Sequence, residues 1–457
     1  MVSSFSADSP NPSQEPLRGW EKQWLIFVFL VVIAFGVLVE IRSAFLDNRK
    51  TDLGTYLRAA WAVRNGDDLY QVADENGWHY CYPPLFAILM TPLADAPPGR
   101  DRSWMPDYEY SVAIWYGLSI VAIFLALHWF ATAIEESSSR PTAPGGRKWW
   151  YTRMLPFYIC LAPIGCTLSR GQVNMLVVAL CAGMFLATVR GHRFRSGLWL
   201  AAAICLKVFP AFLLIFPIWR RDGRSLLGVA CGVFIGLALI PVAVWGVSGA
   251  IDVNKKMVNA IILPGLGMGG DTTRDKELIE ITATDNQSIQ AVIHNYKHWD
   301  RVGRPTRAGK RTKLAHVTIG VLLTGFLLLA FGWRRDNNGV RNLILLGGLI
   351  TIMAITSPVS HTHYFCLTLP LVAGLAAHSV SAQPGRKLPF IGTLTLLIFA
   401  GVLFALPMIP VWENRREVGL SLYGCLILWG AAIARLQARG SAAEQTANTS
   451  PQMARAA

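Results

Sequence analysis

Asp52 follows the first long apolar run and opens "TDLGTYLRAAWAVRNGDDLYQ" (51–71), where Leu53, Tyr56, Leu57, Ala60 and Trp61 recur at three- and four-residue steps. This period predicts an amphipathic helix lying along a membrane surface and ending at Asn65 and Gly66. A carboxylate at its start can cap the first amides, or it can serve as a base whose direction the helix N-terminus fixes. Arg170, Gln172 and Asn174 share "SRGQVN" (169–174), a set that can hydrogen-bond a sugar or phosphate or simply start a helix in a wetted loop. Lys207 sits in "LKVFP", Tyr82 in "YCYPP", Asn286 and Gln287 in "DNQSIQ" (285–290), and His361 and His363 in "SPVSHTHY" (357–364). Lys207 can bind an anion or merely snorkel. The two histidines lack HExxH spacing and carboxylate or Cys neighbours, so they read as an acid, a base or phosphate ligands, and no metal is expected.

The elements that must hold these residues are membrane helices. Of 457 residues 53% are hydrophobic and 15% charged. The apolar residues fall into blocks such as "QWLIFVFLVVIAFGVLVE", "SVAIWYGLSIVAIFLALHWF" and "VTIGVLLTGFLLLAFGW", each close to the roughly 20 residues that cross a bilayer. A large soluble enzyme is thereby excluded. The expected fold is an all-α polytopic bundle of about 10–12 transmembrane helices, with re-entrant or interfacial helices in its outer loops. The cysteines mostly lie inside apolar blocks without ligand spacing and read as packing residues. The net charge of +14 reports orientation before any partner, and no nucleic-acid-binding motif is visible.

Placing the short basic loops at 140–148, 190–195, 220–224, 334–341 and 385–387 on the cytoplasmic side gives a cytoplasmic tail at 1–23, a transmembrane domain at 24–436 and a disordered tail at 437–457. The first outer loop is then 45–109 and a second, long one is 248–312. The segment 196–219 keeps parity only as a hairpin broken at Lys207 and Pro210, and "PPLFAILMTPLA" (83–94) is too short to cross. The basic run 301–313 falls outside, which a long loop tolerates. All the polar clusters then share the outer face of an integral, multi-pass membrane protein.

In their order, "GDDLY", "YCYPPLFAILMTPLA", "GQVNMLVVAL", "GLWLAAAICLKVFPAFLL", "NQSIQ" and "SPVSHTHY" resemble glycosyltransferase family 87, over about residues 24 to 410. The resemblance implies a GT-C enzyme that transfers a hexose, typically mannose, from a polyprenyl-phosphate sugar to a lipid-linked or envelope glycan acceptor, inverting the anomeric centre on the extracytoplasmic face. Its partners would be that donor, a glycolipid or glycan acceptor and membrane lipids. No resident cofactor is implied, because the lipid-linked sugar is a co-substrate. Asp52 matches the family's first-loop catalytic Asp and His363 the His of its S-W-x-H pattern, with His361 standing where the pattern has Trp. Lys207 and Pro210 fit K-x-x-P, and Tyr82, Pro83 and Pro84 fit Y-P-P. Tyr82, Arg170, Gln172, Asn174, Lys207, Asn286, Gln287 and His361 become candidate donor contacts. A lipid-linked oligosaccharide transporter, or a GT-C enzyme moving another group, is the alternative.

Overall fold

A computed structural model describes residues 16–41, 52–138, 142–283, 285–333, 336, 338–380 and 387–453. The chain begins with α1 (Gly19–Ile41), α2 (Leu53–Asn65), the short α3 (Pro84–Met90) and α4 (Tyr108–Glu136). Next come α5 (Arg147–Ile159), α6 (Leu161–Arg170), α7 (Asn174–Val189), α8 (Arg193–Leu206) and α9 (Ile215–Trp219). A third group holds α10 (Gly223–Phe234), α11 (Ile240–Met257), α12 (Leu263–Leu266), α13 (Asp275–Leu278) and α14 (Ile289–Lys297). The last helices are α15 (Lys310–Phe331), α16 (Gly339–Ile355), α17 (Leu369–Val380), α18 (Lys387–Ala405) and α19 (Leu420–Met453). The described residues contain no strand, only isolated bridges between Pro16 and Gly146 and between Ala73 and His79.

Among the described residues six stretches are long and apolar enough to cross a membrane: Gly19–Leu38, Tyr108–Glu136, Gly223–Leu266, Lys310–Phe331, Ile391–Met408 and Arg416–Gln437. The protein is therefore an all-α, multi-pass membrane protein. Helices α7 and α16 are shorter and apolar on every side, so they take the inner positions: every α16 residue from Asn342 to Ile355 is buried. The outer helices have the opposite pattern. Along α1 large apolar side chains such as Phe27, Leu30 and Phe35 are exposed, as a lipid-facing helix requires.

Two local expectations hold. The chain breaks after α8 at Lys207, which is extended (φ −152°, ψ 129°), and Pro210 lies in the tight turn Phe209–Leu214 that follows. Residues 84–93 make only α3 and one 3₁₀ turn (Thr91–Leu93), about 15 Å of helix and too short to span.

Others are corrected. The α2 bounds match, and Gly66 closes the helix in the left-handed region (φ 74°). Yet α2 is no surface helix: Leu53 and every residue from Thr55 to Val63 are buried, because residues of the stretch 67–96 pack around it together with α4 and α11. Even Arg58 lies inside, 4.0 Å from Asp95. The span expected at 225–247 does not end in a loop. Gly246 (φ 71°, ψ 177°) breaks α11 and the chain folds back as helix, so that Asn254 Nδ2 donates to the Leu237 carbonyl at 2.8 Å. Residues 248–312 therefore begin as packed helix, whose Val253 and Met257 join the core around α2. The span at 153–168 is two helices, α5 and α6, and α1 begins at Gly19, inside the expected N-terminal tail. Residues 1–15 of that tail lie outside the described residues. The helical backbone of α19 continues to Met453, through the stretch read as a disordered tail, in keeping with the helix propensity of its Ala, Glu and Gln residues.

Candidate active site

The site is built on chain breaks, where a helix end leaves polar groups free to be aimed. Asp52 sits at the N-terminus of α2 and makes no side-chain capping bond. Its Oδ2 instead accepts from Gln172 Nε2 at 2.6 Å. The Asp52 carboxylate thus turns to Gln172 and does not cap the first amides of α2. Gln172 lies in the turn between α6 and α7, held open by Gly171 (φ 66°), whose carbonyl accepts from the buried Trp115 Nε1 at 2.7 Å.

On its other side the Gln172 carboxamide faces hydroxyls and a cation. Tyr56 and Tyr82 hydroxyls lie 3.1 and 3.2 Å from Gln172 Oε1 and 3.0 Å from each other. Lys207 Nζ lies 3.5 Å from the same oxygen and donates to Asn174 Oδ1 at 2.8 Å. The Lys207 ammonium is surrounded by the rings of Tyr364, Phe209 and Tyr82, at 4.4, 5.0 and 5.4 Å to their centroids. It is 5% exposed, and its hydrogen-bond acceptors here are neutral amides. The hydrogen-bond acceptors of this buried amine are not counter-ions, so an anionic ligand can supply the charge partner that favours its protonated form.

A second cluster flanks the first. Asp285 Oδ2 accepts from Arg170 Nη2 at 3.3 Å, and His361 Nδ1 lies 2.9 Å from Asp285 Oδ1. Burial alone would raise the Asp285 carboxyl, but the His361 imidazole and the Arg170 guanidinium outweigh it and hold it well below the usual carboxylate range. His363 is buried with neither ring nitrogen hydrogen-bonded, 4.8 Å from the Tyr364 ring, while its carbonyl is pinned by Thr167 Oγ1 and Asn174 Nδ2 at 2.8 and 3.2 Å. Those two nitrogens are hydrogen-bonding capacity that no described residue uses.

The expected contact at Asn286 is corrected, and Gln287 beside it is half committed. Asn286 is fully buried and committed to backbone: Oδ1 accepts from Ser288 N and Ser360 N, and Nδ2 donates to the Glu280 and Pro358 carbonyls. Gln287 Oε1 accepts from Ser421 N at 2.8 Å. These bonds fasten the loop 285–288 to the loop 358–360 and to the start of α19, and so position Asp285 and His361; Asn286 is fully used by them, whereas the buried Gln287 Nε2 has no hydrogen-bond partner among the described residues. The same fastening shows where the basic run 301–313 lies. Arg301 and Arg304 both pair with Glu417, in the turn that leads into α19, so the run is at the site's end of the bundle.

Sequence reasoning missed Tyr56, Asp285 and Tyr364. Tyr56 counted as an apolar position of a periodic helix, and Asp285 and Tyr364 stood unremarked beside chosen neighbours in "DNQSIQ" and "SPVSHTHY". A groove of about 720 Å³ opens at the other end of α16, lined by Phe326, Trp429 and Ile433. Among the described residues that line it the one cation, Arg341, is paired with Asp336 at 2.6 Å.

Lys207, Asn174, Gln172, Asp52 and Tyr82 thus meet through the segments singled out in the sequence, and the family comparison covers most of them. The family description "Glycosyltransferase family 87" matches residues 80–358. The chain belongs to glycosyltransferase family 87. It is similar to a polyprenol-phosphate-mannose-dependent alpha-(1-2)-phosphatidylinositol mannoside mannosyltransferase of Mycobacterium tuberculosis, 25% identical over 362 residues that cover 71% of this chain and 80% of the relative. It is also similar to a polyprenol-phosphate-mannose-dependent alpha-(1-2)-phosphatidylinositol pentamannoside mannosyltransferase of Mycolicibacterium smegmatis, 25% identical over 440 residues and 93% of each chain. As a family 87 member the protein is a membrane hexosyltransferase, and the transporter reading falls away.

Proposed function

We propose that this chain transfers mannose from a polyprenyl-phosphate mannose to a mannosylated glycolipid at the extracytoplasmic face of the inner membrane. The observation that carries the reading is the line Lys207, Gln172, Asp52, which places a buried cation and a carboxylate on the two ends of one amide. The leaving group is a phosphate, which gains a negative charge as the C1–O bond breaks, so the site needs cations rather than a general acid. Lys207 is positioned for that charge, and Arg170 stands next to the neighbouring carboxylate Asp285. The acceptor hydroxyl attacks C1 from the face opposite the phosphate and loses its proton to Asp52, which inverts the anomeric centre. A base so placed contributes about 10²- to 10⁴-fold in rate.

Asp52 takes the role of base in this reading because its carboxylate is half-buried and reachable, whereas the His363 ring is 1% exposed. His363 serves as a hydrogen-bonding wall of the pocket. The relatives' names, which specify polyprenol-phosphate-mannose and phosphatidylinositol mannosides, support donor and acceptor class. The test is transfer of radiolabelled mannose from polyprenyl-phosphate mannose to a glycolipid extract by purified protein. Wild type is expected to form an extended, α-linked glycolipid, and Asp52→Asn to insert normally but form at least about 10²-fold less. No labelled product from wild type, or full activity in Asp52→Asn, overturns the reading.

A further inference from the structure

Gln172 was expected to touch the donor, but its amide is occupied on both sides by protein. An ionised carboxylate only accepts hydrogen bonds and an ammonium only donates them. With Asp52 Oδ2 at 2.6 Å on one side and Lys207 Nζ at 3.5 Å on the other, only one orientation of the amide suits both, with NH₂ toward Asp52 and C=O toward Lys207. The Tyr56 and Tyr82 hydroxyls, both buried, crowd the same Oε1 and hold it there. Among the described residues Asp52 Oδ1 has no hydrogen-bond partner, so Gln172 engages one carboxylate oxygen and leaves the other for a substrate hydroxyl.

We infer that Gln172 is a positioning residue for the base, locking the Asp52 carboxylate and coupling its direction to the cation that receives the phosphate. The inference rests on the reading of Asp52 as base. When the acceptor O–H proton moves to Asp52 Oδ1, its oxygen bonds to C1 and the C1–O bond to the phosphate breaks with the electron pair leaving on the phosphate, the Gln172 N–H bond to Oδ2 keeps the carboxylate from turning. Groups that feel the Asp52 carboxylate include Arg170 and Lys207, Asp74, and the hydroxyls and thiol of Tyr56, Tyr82, Tyr364 and Cys166. Several of them come from other segments of the chain than Gln172, and none replaces the Gln172 hydrogen bond.

Gln172→Glu tests this in the full-length enzyme reconstituted in lipid. It keeps the acceptor toward Lys207 and both tyrosines but sets a second carboxylate against Asp52, and two carboxylates in contact share a proton. The acid limb of kcat/KM against pH is expected to move upward by about one unit or more, with activity returning toward wild type at higher pH. Gln172→Met, which removes the donor without adding charge, is expected to lower kcat about ten- to hundredfold while the KM for polyprenyl-phosphate mannose changes less than about threefold. A merely structural Gln172 would instead give uniform loss across pH, and that result in both variants overturns the proposal. Asp52→Asn is measured alongside. If it is inactive while the Gln172→Glu limb stays in place, Gln172 alone is wrong; if it is active, the base reading fails and takes this inference with it.

Discussion

Gly171 lies against Leu53 with no room for a side chain: a β-carbon added to Gly171 would come within 2.7 Å of the Leu53 β-carbon. The two residues are the immediate neighbours of Gln172 and Asp52, so this contact sets how the two site residues meet. Gly171→Ala adds a clash to a left-handed backbone (φ 66°) that costs about 1 kcal/mol for a residue with a β-carbon. The start of α2 must shift, and a displacement near 1 Å in a reacting group lowers rate on the order of 10²-fold. Transfer measured at saturating donor should fall accordingly, with the thermal midpoint in detergent lowered only slightly. A wild-type rate would show that this approach does not set the site.

Lys207 should govern donor affinity. Lys207→Met keeps the stem among Phe209, Tyr82 and Tyr364 but removes the charge, and the KM for polyprenyl-phosphate mannose is expected to rise about ten- to hundredfold, in line with the loss of one charge-assisted bond. Lys207→Arg should not restore it, because a planar guanidinium cannot occupy a ring-lined space in which the ammonium lies 4.4 Å from Tyr364 and 2.8 Å from Asn174. Steady-state kinetics with varied donor decide this. An arginine variant with the native KM would mean that charge alone, without the aromatic surround, holds the phosphate.

Asp285 carries the pH prediction. Folding lowers its pKa through His361 and Arg170, so the carboxylate stabilises the fold at every pH above the roughly 3.9 of an unfolded Asp, and that contribution is lost as pH falls through the lower folded value. Asp285→Asn should therefore be less stable at pH 7, by about 1–3 kcal/mol for a lost charge-assisted contact. The gap to wild type from Asp285 itself should stay even from about pH 5 to 8 and narrow below about pH 4. Thermal unfolding of both proteins across that range measures it, and a gap that widens on acidification contradicts the assignment.

Much of this arrangement is legible from residue type and order. Long apolar blocks name the membrane helices, a period of three and four from Leu53 finds α2, and a lysine before Val208, Phe209 and Pro210 marks the break that brings Lys207 to the site. What is not legible depends on partners distant in sequence. The period of α2 shows an apolar face, but that Thr55, Arg58 and Ala59 are buried as well depends on the wrapping by 67–96, including Asp95 beside Arg58. Gly246 is one glycine in a long apolar run, and only its backbone angle reveals that the chain reverses there. Asn286 has the composition of a ligand and the bonding of a brace, a distinction made by Ser360 and Pro358, more than seventy residues away in sequence. Tyr56 is the converse, an apolar-period residue whose hydroxyl joins the polar network.

The basic run 301–313 looks misplaced by charge alone, and Glu417 explains two of its cations. Arg304 Nη1 lies 2.8 Å from Glu417 Oε2 with both side chains nearly fully buried, and Arg301 Nη2 reaches Oε1 at 2.6 Å. Asn295 ties in as well, donating to the Glu417 carbonyl at 3.2 Å and accepting from Arg304 at 3.3 Å. Glu417→Ala should thus leave a buried guanidinium without its counter-charge, a loss of about 3–5 kcal/mol that a several-degree drop in thermal midpoint would report. Removing both charges, as Arg304→Met with Glu417→Met, should recover most of it, because an apolar pair of similar volume avoids the desolvation cost. If Glu417→Ala melts like wild type, the run is not held as a clasp; if only the single variant is unstable, these arginines serve to fasten the loop to α19.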